Sequence, residues 1–259
     1  MLKGLYTAYT GMINEQHRMD TMTNNLANAS TVGFKKEGAT SQSFDELLAY
    51  KLKDSSVGIA NVQRIGVNTP GVKIGENYTD FSQGSFRETG NTFDLALGGK
   101  GFFAIEYTNS AGETSTKYTR AGSFTLNVDG YLVDKDGQYV LDDSNRRIQI
   151  DPLQTATITK DGSIYQNGVL RAKVQVADFE DYNYLEKYGD TYYQPVEGAS
   201  KIDGDSTVVS GYLEMANVNV VSEMVNMIAI TRAYETNQKI LQTYDGSLDI
   251  AVNQLGKLR

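Results

Sequence analysis

The chain has 259 residues, long for one domain and short for three at about 150 residues each. An apolar fraction of 40% with 22% charged residues supports at least one sizeable core and excludes wholesale disorder. Its 24 basic and 32 acidic residues leave a net charge of −8, a poor match to nucleic-acid phosphates, and no run of eighteen apolar residues is present to form a transmembrane helix. Cysteine is absent and histidine occurs once, at His17, which removes disulfides, thiol nucleophiles and His- or Cys-based metal clusters.

Residues 1 to about 32 read as a helix. Leu2, Leu5, Tyr9, Met12, Gln16, Met19, Thr23 and Leu26 follow the alternating 3,4 spacing of a heptad seam, apolar at six of eight positions. Asn24, Asn25, Asn28, Ser30 and Thr31 then erode helix propensity, and Gly33 is the expected stop. The first sixteen residues lack a continuous apolar stretch and a small-residue cleavage site, so no cleaved secretory signal is expected. Phe44, Leu47, Leu48 and Tyr50 predict a short amphipathic helix, and residues 55–77 read as Gly-rich and extended or loop-like.

From Phe81 to Gly211 the pattern becomes short β runs broken by turn dipeptides: Asp129-Gly130, Asp136-Gly137, Asp161-Gly162, Asn167-Gly168 and Asp203-Gly204. Strands are expected at Leu95–Leu97, Phe102–Tyr107, Ser123–Val128, Tyr131–Asp134, Tyr139–Leu141, Ile148–Ile150, Ala156–Ile158, Val169–Ala177 and Thr207–Leu213. From Val220 a second seam runs through Met224, Met227, Thr231, Tyr234, Gln238, Leu241, Asp245, Leu248, Val252 and Leu255, with Val221, Val225 and Ile228 widening it. Such a helix would span some 36 residues, roughly 54 Å, far beyond the usual globular length. The expected fold is α+β: an N-terminal assembly helix over 1–34, a linker with a short helix over 35–80, a β-rich middle over 81–211 and a C-terminal assembly helix over 212–259. Charge follows that division: the first 34 residues are net neutral and the last 48 carry −1, leaving −7 on the middle. Near-neutral ends can pack in many copies without accumulating repulsion.

Motifs for chemistry fail in turn. Gly99-Lys100-Gly101-Phe102-Phe103-Ala104 matches a dinucleotide fingerprint that should open a helix, yet Phe102–Tyr107 reads as a strand. Asp134-Lys135-Asp136-Gly137 resembles part of a calcium loop but lacks its third carboxylate position and terminal Glu. His17 has no partner at ligand spacing. No catalytic residue, cofactor, metal, nucleic acid or small-molecule substrate is expected.

Four ordered blocks resemble the bacterial flagellar basal-body rod family, which is related to the hook protein. Asn24-Asn25-Leu26-Ala27-Asn28 with Thr31 and Gly33-Phe34-Lys35 is similar to its NNLAN…GFK signature. Thr89-Gly90-Asn91 through Asp94-Leu95-Ala96-Leu97 to Gly101-Phe102-Phe103 resembles its second block, and Tyr118-Thr119-Arg120 with Gly122-Ser123-Phe124 its third. Leu213-Glu214, Asn217-Val218-Asn219-Val220-Val221, Glu223-Met224-Val225-Asn226-Met227-Ile228 and Arg232-Ala233-Tyr234-Glu235 resemble its C-terminal block. The resemblance implies a tubular drive shaft that transmits torque from motor to hook, with terminal helices of many copies inside and β domains outside. The implied partners are further copies, other rod and hook subunits, the type III export apparatus and surrounding ring proteins. The implied location is the flagellar basal body, reached without a cleaved signal peptide. Thr89-Gly90-Asn91 and Asn217-Val218-Asn219-Val220-Val221 lean toward a distal rather than a proximal rod subunit. A hook subunit or another extracellular fibre with coiled-coil ends is the alternative. The expected assembly residues are Leu5, Tyr9, Met12, Met19 and Leu26 against Met224, Met227, Tyr234, Leu241, Leu248 and Val252. The amides of Asn24, Asn25 and Asn28 are expected to bond backbone groups where the helix ends.

Overall fold

A computed structural model describes residues 2–44, 47–51, 63–109, 112–204 and 206–255. They fall into two units, one of residues 1–26, 37–79 and 220–259, the other of residues 27–36 and 80–219.

The first unit holds two long helices, α1 (Leu2–Ala27) and α2 (Val220–Ile250), the latter ending in a π turn over Ala251–Leu255. Between them in sequence lie β1 (Glu37–Ser43), β2 (Leu47–Lys51), β3 (Gln63–Asn68) and β4 (Val72–Thr79). β1 pairs antiparallel with β4 across a bulge between Ala39 and Ser41, and β2 pairs with β3. The short helix expected around Leu47, Leu48 and Tyr50 is therefore a strand: four apolar residues in a row suit either state, and a cross-strand partner decides for β. Part of the expected extended stretch, residues 55–62, lies outside the described residues. Helix α1 stops at Ala27, about five residues before the expected end. The Thr31 amide closes a turn onto the Asn28 carbonyl at 3.0 Å, the Thr31 hydroxyl bonds the Asn28 side chain, and Gly33 adopts φ +70°. Local side-chain bonding of this kind competes with the helical ladder.

Among the described residues the second unit contains sixteen strands. The first eight are β5 (Phe86–Glu88), β6 (Leu95–Gly98), β7 (Phe102–Thr108), β8 (Thr114–Thr119), β9 (Phe124–Leu126), β10 (Leu132–Asp134), β11 (Tyr139–Val140) and β12 (Ala156–Ile158). The rest are β13 (Ser163–Gln166), β14 (Val169–Lys173), β15 (Val176–Phe179), β16 (Leu185–Tyr188), β17 (Tyr192–Pro195), β18 (Lys201–Asp203), β19 (Thr207–Ser210) and β20 (Tyr212–Glu214). A nine-stranded sheet runs β16-β17-β8-β7-β11-β10-β9, with β15 joined to β7 and β18 to β15. β12-β13-β14 form a smaller sheet, and β6 pairs with β19 as β5 does with β20.

Strand β7 is buried on both faces. Phe103 and Ile105 join Leu95, Leu97, Phe124, Ile148 and Ile164 in one cluster, while Phe102 and Ala104 join Tyr118, Phe179 and Tyr193 in another. A strand covered on both sides reads as a continuous apolar run. Because residue 102 opens β7, Gly99 and Gly101 (φ +116° and +118°) lead into a strand and not the helix a dinucleotide motif requires.

Glycines 130, 137, 162 and 168 of the expected turns take positive φ, and Asn167-Gly168 forms a two-residue hairpin between β13 and β14, both residues at positive φ. Gly204 of the fifth pair is not among the positive-φ residues. Two predicted strands are each broken in two. Val169–Ala177 divides at Val174-Gln175 into β14 and β15, which belong to different sheets, and Thr207–Leu213 divides at Gly211 (φ +84°) into β19 and β20. Residues 148–150 make bridges and backbone bonds to Val140 and Gly130 without forming a strand.

Candidate assembly surface

Within the first unit the two long helices pack antiparallel. The Tyr244 hydroxyl occupies the space a side chain on Gly4 would fill, Asn237 lies over Gly11, and the Thr231 hydroxyl sits 3.9 Å from the Met19 sulfur. Glycines seven residues apart on α1 thus admit bulky partners close to its backbone, each at about 1 kcal/mol of helix propensity.

The burial of α2 shows which stripe runs inward. Glu223, Met227, Ile230, Tyr234, Asn237, Leu241, Tyr244, Leu248 and Ala251, spaced 4,3 throughout, are buried or half-buried. On α1 the matching stripe is Leu5, Ala8, Met12, Glu15, Met19, Met22 and Leu26. Of the expected seam residues, Leu5, Met12, Met19, Leu26, Met227, Tyr234, Leu241 and Leu248 therefore face inward within one chain. Tyr9, Met224 and Val252 are exposed. The expected seam and this inward stripe share Met227, Tyr234, Leu241 and Leu248, while Ile230, Asn237 and Tyr244 lie on the inward stripe alone.

An outer stripe of α2 is apolar as well. Val221, Met224, Val225 and Ile228 lie on successive turns of α2, with 54% of Ile228 and 61% of Val225 exposed, and Tyr6, Tyr9 and Ile13 do the same on α1. Contiguous exposed apolar surface of this kind marks an interaction site.

A third side of α1 is polar and already occupied. The Thr7 hydroxyl donates to the Pro70 carbonyl at 2.8 Å, Thr10 packs on Gly71, and Asn14 and Ser41 exchange bonds of 2.9 and 3.1 Å. Asn25 is fully buried and pairs with the backbone of Glu37 like a neighbouring strand. Its Nδ2 donates to the Glu37 carbonyl at 2.7 Å, and its Oδ1 accepts from the Glu37 amide at 2.9 Å. Asn28 accepts from Thr31 in its own turn, and Asn24 is exposed on the helix.

The remaining motif residues meet inside the second unit. Lys35 Nζ lies 2.7 Å from Glu214 Oε1, and an Arg120 guanidinium nitrogen lies 3.1 Å from Glu214 Oε2. The side chains of Lys35 and Glu214 are 0% exposed. Every oxygen of the carboxylate is committed, because the Gly84 amide also donates to Oε1 at 2.9 Å. Lys35 donates further to the Ser82 carbonyl and Arg120 to the Gly99 carbonyl. Burial pushes the Lys35 ammonium below the ordinary lysine range, and the adjoining Glu214 carboxylate pulls it back up. Asn217 completes the knot, accepting from the Lys36 amide at 2.7 Å and donating to the Asp80 carbonyl at 2.7 Å. Gly33 and Gly122 are required by close approach: a Cβ would strike the Ala121 backbone in the first case and the Leu95 carbonyl in the second.

The motif residues therefore hold the chain to itself. The calcium-like segment is likewise a turn, in which the Gly137 amide bonds the Asp134 carbonyl and both aspartates bond the Tyr192 hydroxyl. Among the described residues no three His, Cys, Asp or Glu side chains gather as metal ligands. His17, half-buried on α1, leaves its Nδ1 without a partner among the described residues.

Paired terminal helices with an apolar outer stripe, and motif residues spent on internal bonding, define a structural subunit. The family follows from comparison with known proteins. Residues 5–35 match the flagella basal body rod protein family, residues 96–166 the D1 domain of flagellar hook protein FlgE/F/G, and residues 209–255 the flagellar basal body rod FlgEFG protein C-terminal region. The chain is 33% identical over 275 residues to the flagellar basal-body rod protein FlgG of Bacillus subtilis, spanning 98% of this chain and 99% of that protein. It is also 33% identical over 260 residues to the rod protein FlgF of Caulobacter vibrioides, and 30% identical over 272 residues to the hook-basal body complex protein FlhO of Bacillus subtilis, each spanning both chains fully. The chain belongs to the flagellar basal-body rod family.

Proposed function

We propose that this chain is a distal rod subunit of the bacterial flagellar basal body, polymerising into a tubular shaft that transmits torque from motor to hook. The observation that carries the reading is the outer stripe of α2, where Val221, Met224, Val225 and Ile228 stay exposed although the inner stripe is already filled by α1. In the polymer, coiled-coil-like packing against neighbouring copies covers that stripe. Rod and hook subunits adjoin the shaft at its ends, ring proteins surround it, and the type III export apparatus delivers the chain without cleaving a signal peptide. The distal position rests on Thr89-Gly90-Asn91 and Asn217-Val218-Asn219-Val220-Val221, since relatives named FlgG and FlgF match equally well.

Two experiments test this. Electron microscopy of the concentrated protein should show tubes, and a strain lacking its distal rod subunit should regain motility when given this chain. Rescue only of a strain lacking the proximal subunit would overturn the distal position. Failure to polymerise under any condition would overturn the shaft.

A further inference from the structure

A polar cleft of about 370 Å³ opens in the second unit where β14 hands over to β15, within the size range of small-ligand pockets. Its lining includes Asp143, Asp161, Lys173, Gln175, Lys201 and Ser206. None of them belongs to the motif blocks or to the paired helices, so the cleft is independent of the assembly reading.

Two buried polar atoms there have no partner among the described residues. Gln175 is 6% exposed; its Nε2 donates to Asn145 Oδ1 at 3.1 Å, but its Oε1 accepts nothing. The Ser206 hydroxyl is buried and equally unpaired. Leaving such groups unsatisfied is unfavourable, so a partner from outside the chain is favoured. The backbone holds both in place. Gln175 is clamped by its amide on the Leu141 carbonyl at 3.0 Å and by its own carbonyl on the Ala104 amide at 3.2 Å. Gly101 backs Ser206, where a Cβ would lie 3.1 Å from the hydroxyl and 3.2 Å from the Ala177 carbonyl.

The charges at the mouth balance. Lys173 and Asp143 pair with each other at 3.1 Å, leaving Lys201 and Asp161 without ion partners among the described residues. A cation or an anion alone would satisfy one of these and be repelled by the other. The unmet needs are donors for Gln175 Oε1 and Asp161, and acceptors for Lys201. Vicinal hydroxyls supply both from adjacent atoms, each donating one bond while accepting another. We propose that this cleft binds a neutral, hydroxyl-rich ligand, a carbohydrate, with Gln175 and Ser206 as its buried contacts.

Ligand-observed saturation-transfer NMR on the intact chain tests this whether the protein is monomeric or polymeric. The probes are cellobiose, lactose and trehalose, which present hydroxyls in different arrangements. At least one should receive saturation and titrate to a plateau. Gln175→Leu should weaken it at least about tenfold, the size of one lost hydrogen bond, and Ser206→Ala should weaken it less. Glu186→Gln, exposed on β16 at the far end of the sheet order from β15, should change nothing. Absence of transfer to all three probes would overturn the proposal and leave water as the occupant. Binding that survives both substitutions unchanged would overturn it too, by placing the sugar elsewhere.

Discussion

The two units solve the same problem in opposite ways. In the second, chemically demanding groups are paired internally: the Glu214 carboxylate meets two cations and a backbone amide, and β7 is covered on both faces. In the first, one stripe of each helix is filled by the other while a second stripe of valine, isoleucine and methionine stays exposed on α2. A chain that can bury Phe102, Phe103 and Tyr193 completely in one unit does not leave Val225 outside for want of packing capacity. The proposed function accounts for the contrast: the second unit holds its own fold, and the first keeps an apolar stripe for neighbouring copies.

The sharpest way to break that contrast is to place the same carboxylate on either side of α2. Ile228→Asp puts the charge on the outer stripe, 54% exposed in the single chain, so monomer melting should stay within about 0.5 kcal/mol of the parent. Every copy in a polymer would bury that charge unpaired, at several kcal/mol each, so motility and tube formation should be lost. Ile230→Asp, at 3% exposure, should instead separate α1 from α2 in the single chain, seen as lost helical circular dichroism. Normal swimming with Ile228→Asp would sink the outer stripe as the interface. The expected Leu248 position gives a mixed result, because it lies on the inner stripe.

The second unit's independence is tested by Glu214→Gln. Glutamine keeps the shape and an acceptor for the Gly84 amide but leaves Lys35 and Arg120 buried without a counter-charge. Removing one partner of a buried ion network costs about 3–5 kcal/mol, read as a lower urea midpoint of the intact chain. An apolar replacement of all three residues would be far milder, since their desolvation is also removed. A Glu214→Gln loss below about 1 kcal/mol would show that water already reaches the knot.

Asn25→Ala probes the first unit at its polar side. It strips the Glu37 amide and carbonyl of their partners at a buried position, for an expected loss of about 2–3 kcal/mol. Asp20→Ala, exposed more than a turn earlier on α1, should cost a few tenths at most and is the control. Equal effects of the two would mean that Asn25 gains nothing from its bonds to Glu37.

What could be read from the sequence divides along the same line. Period and turn chemistry found the long helices, the hairpin glycines and β7, because each is a local signal repeated over neighbouring residues. The choice between inner and outer stripes was not available. Asn237 and Tyr244 look inward only because Gly4 and Gly11 leave room for them, a match between residues more than 200 positions apart. Counting apolar residues passes over that kind of partner. Strands such as β1 and β8 carry Ser, Thr, Gln and Lys and show no alternation, so they form by pairing with neighbours that the sequence cannot name. Lys35, Arg120 and Glu214 were visible as members of separate motif blocks, yet their meeting across 179 positions had no sequence signature.

The smallest expected effect tests whether the second unit has relieved all of its internal strain. Asp134 is 1% exposed, and burial pushes its carboxyl above the ordinary aspartate range. Its Oδ2 lies 3.0 Å from the Tyr192 hydroxyl, which also lies 2.7 Å from Asp136 Oδ2. One hydroxyl hydrogen cannot serve two carboxylates, so a proton on Asp134 completes the pattern: Asp134 donates to Tyr192 while Tyr192 donates to Asp136. A carboxyl whose folded value is raised binds its proton more tightly than in the unfolded chain. Its contribution is therefore full below the unfolded value and fades as pH rises through the folded one. Asp134→Asn supplies that donor at every pH while keeping the bond from the Lys135 amide, 2.7 Å away. Near pH 7 the variant should be more stable by about 0.5–1.5 kcal/mol, one hydrogen bond's worth, and near pH 4 the gap should close. Urea titrations of parent and variant at both values measure it. A variant less stable at both would show that the ionised carboxylate is the better partner for Tyr192, with its charge compensated by the Lys135 amide and solvent.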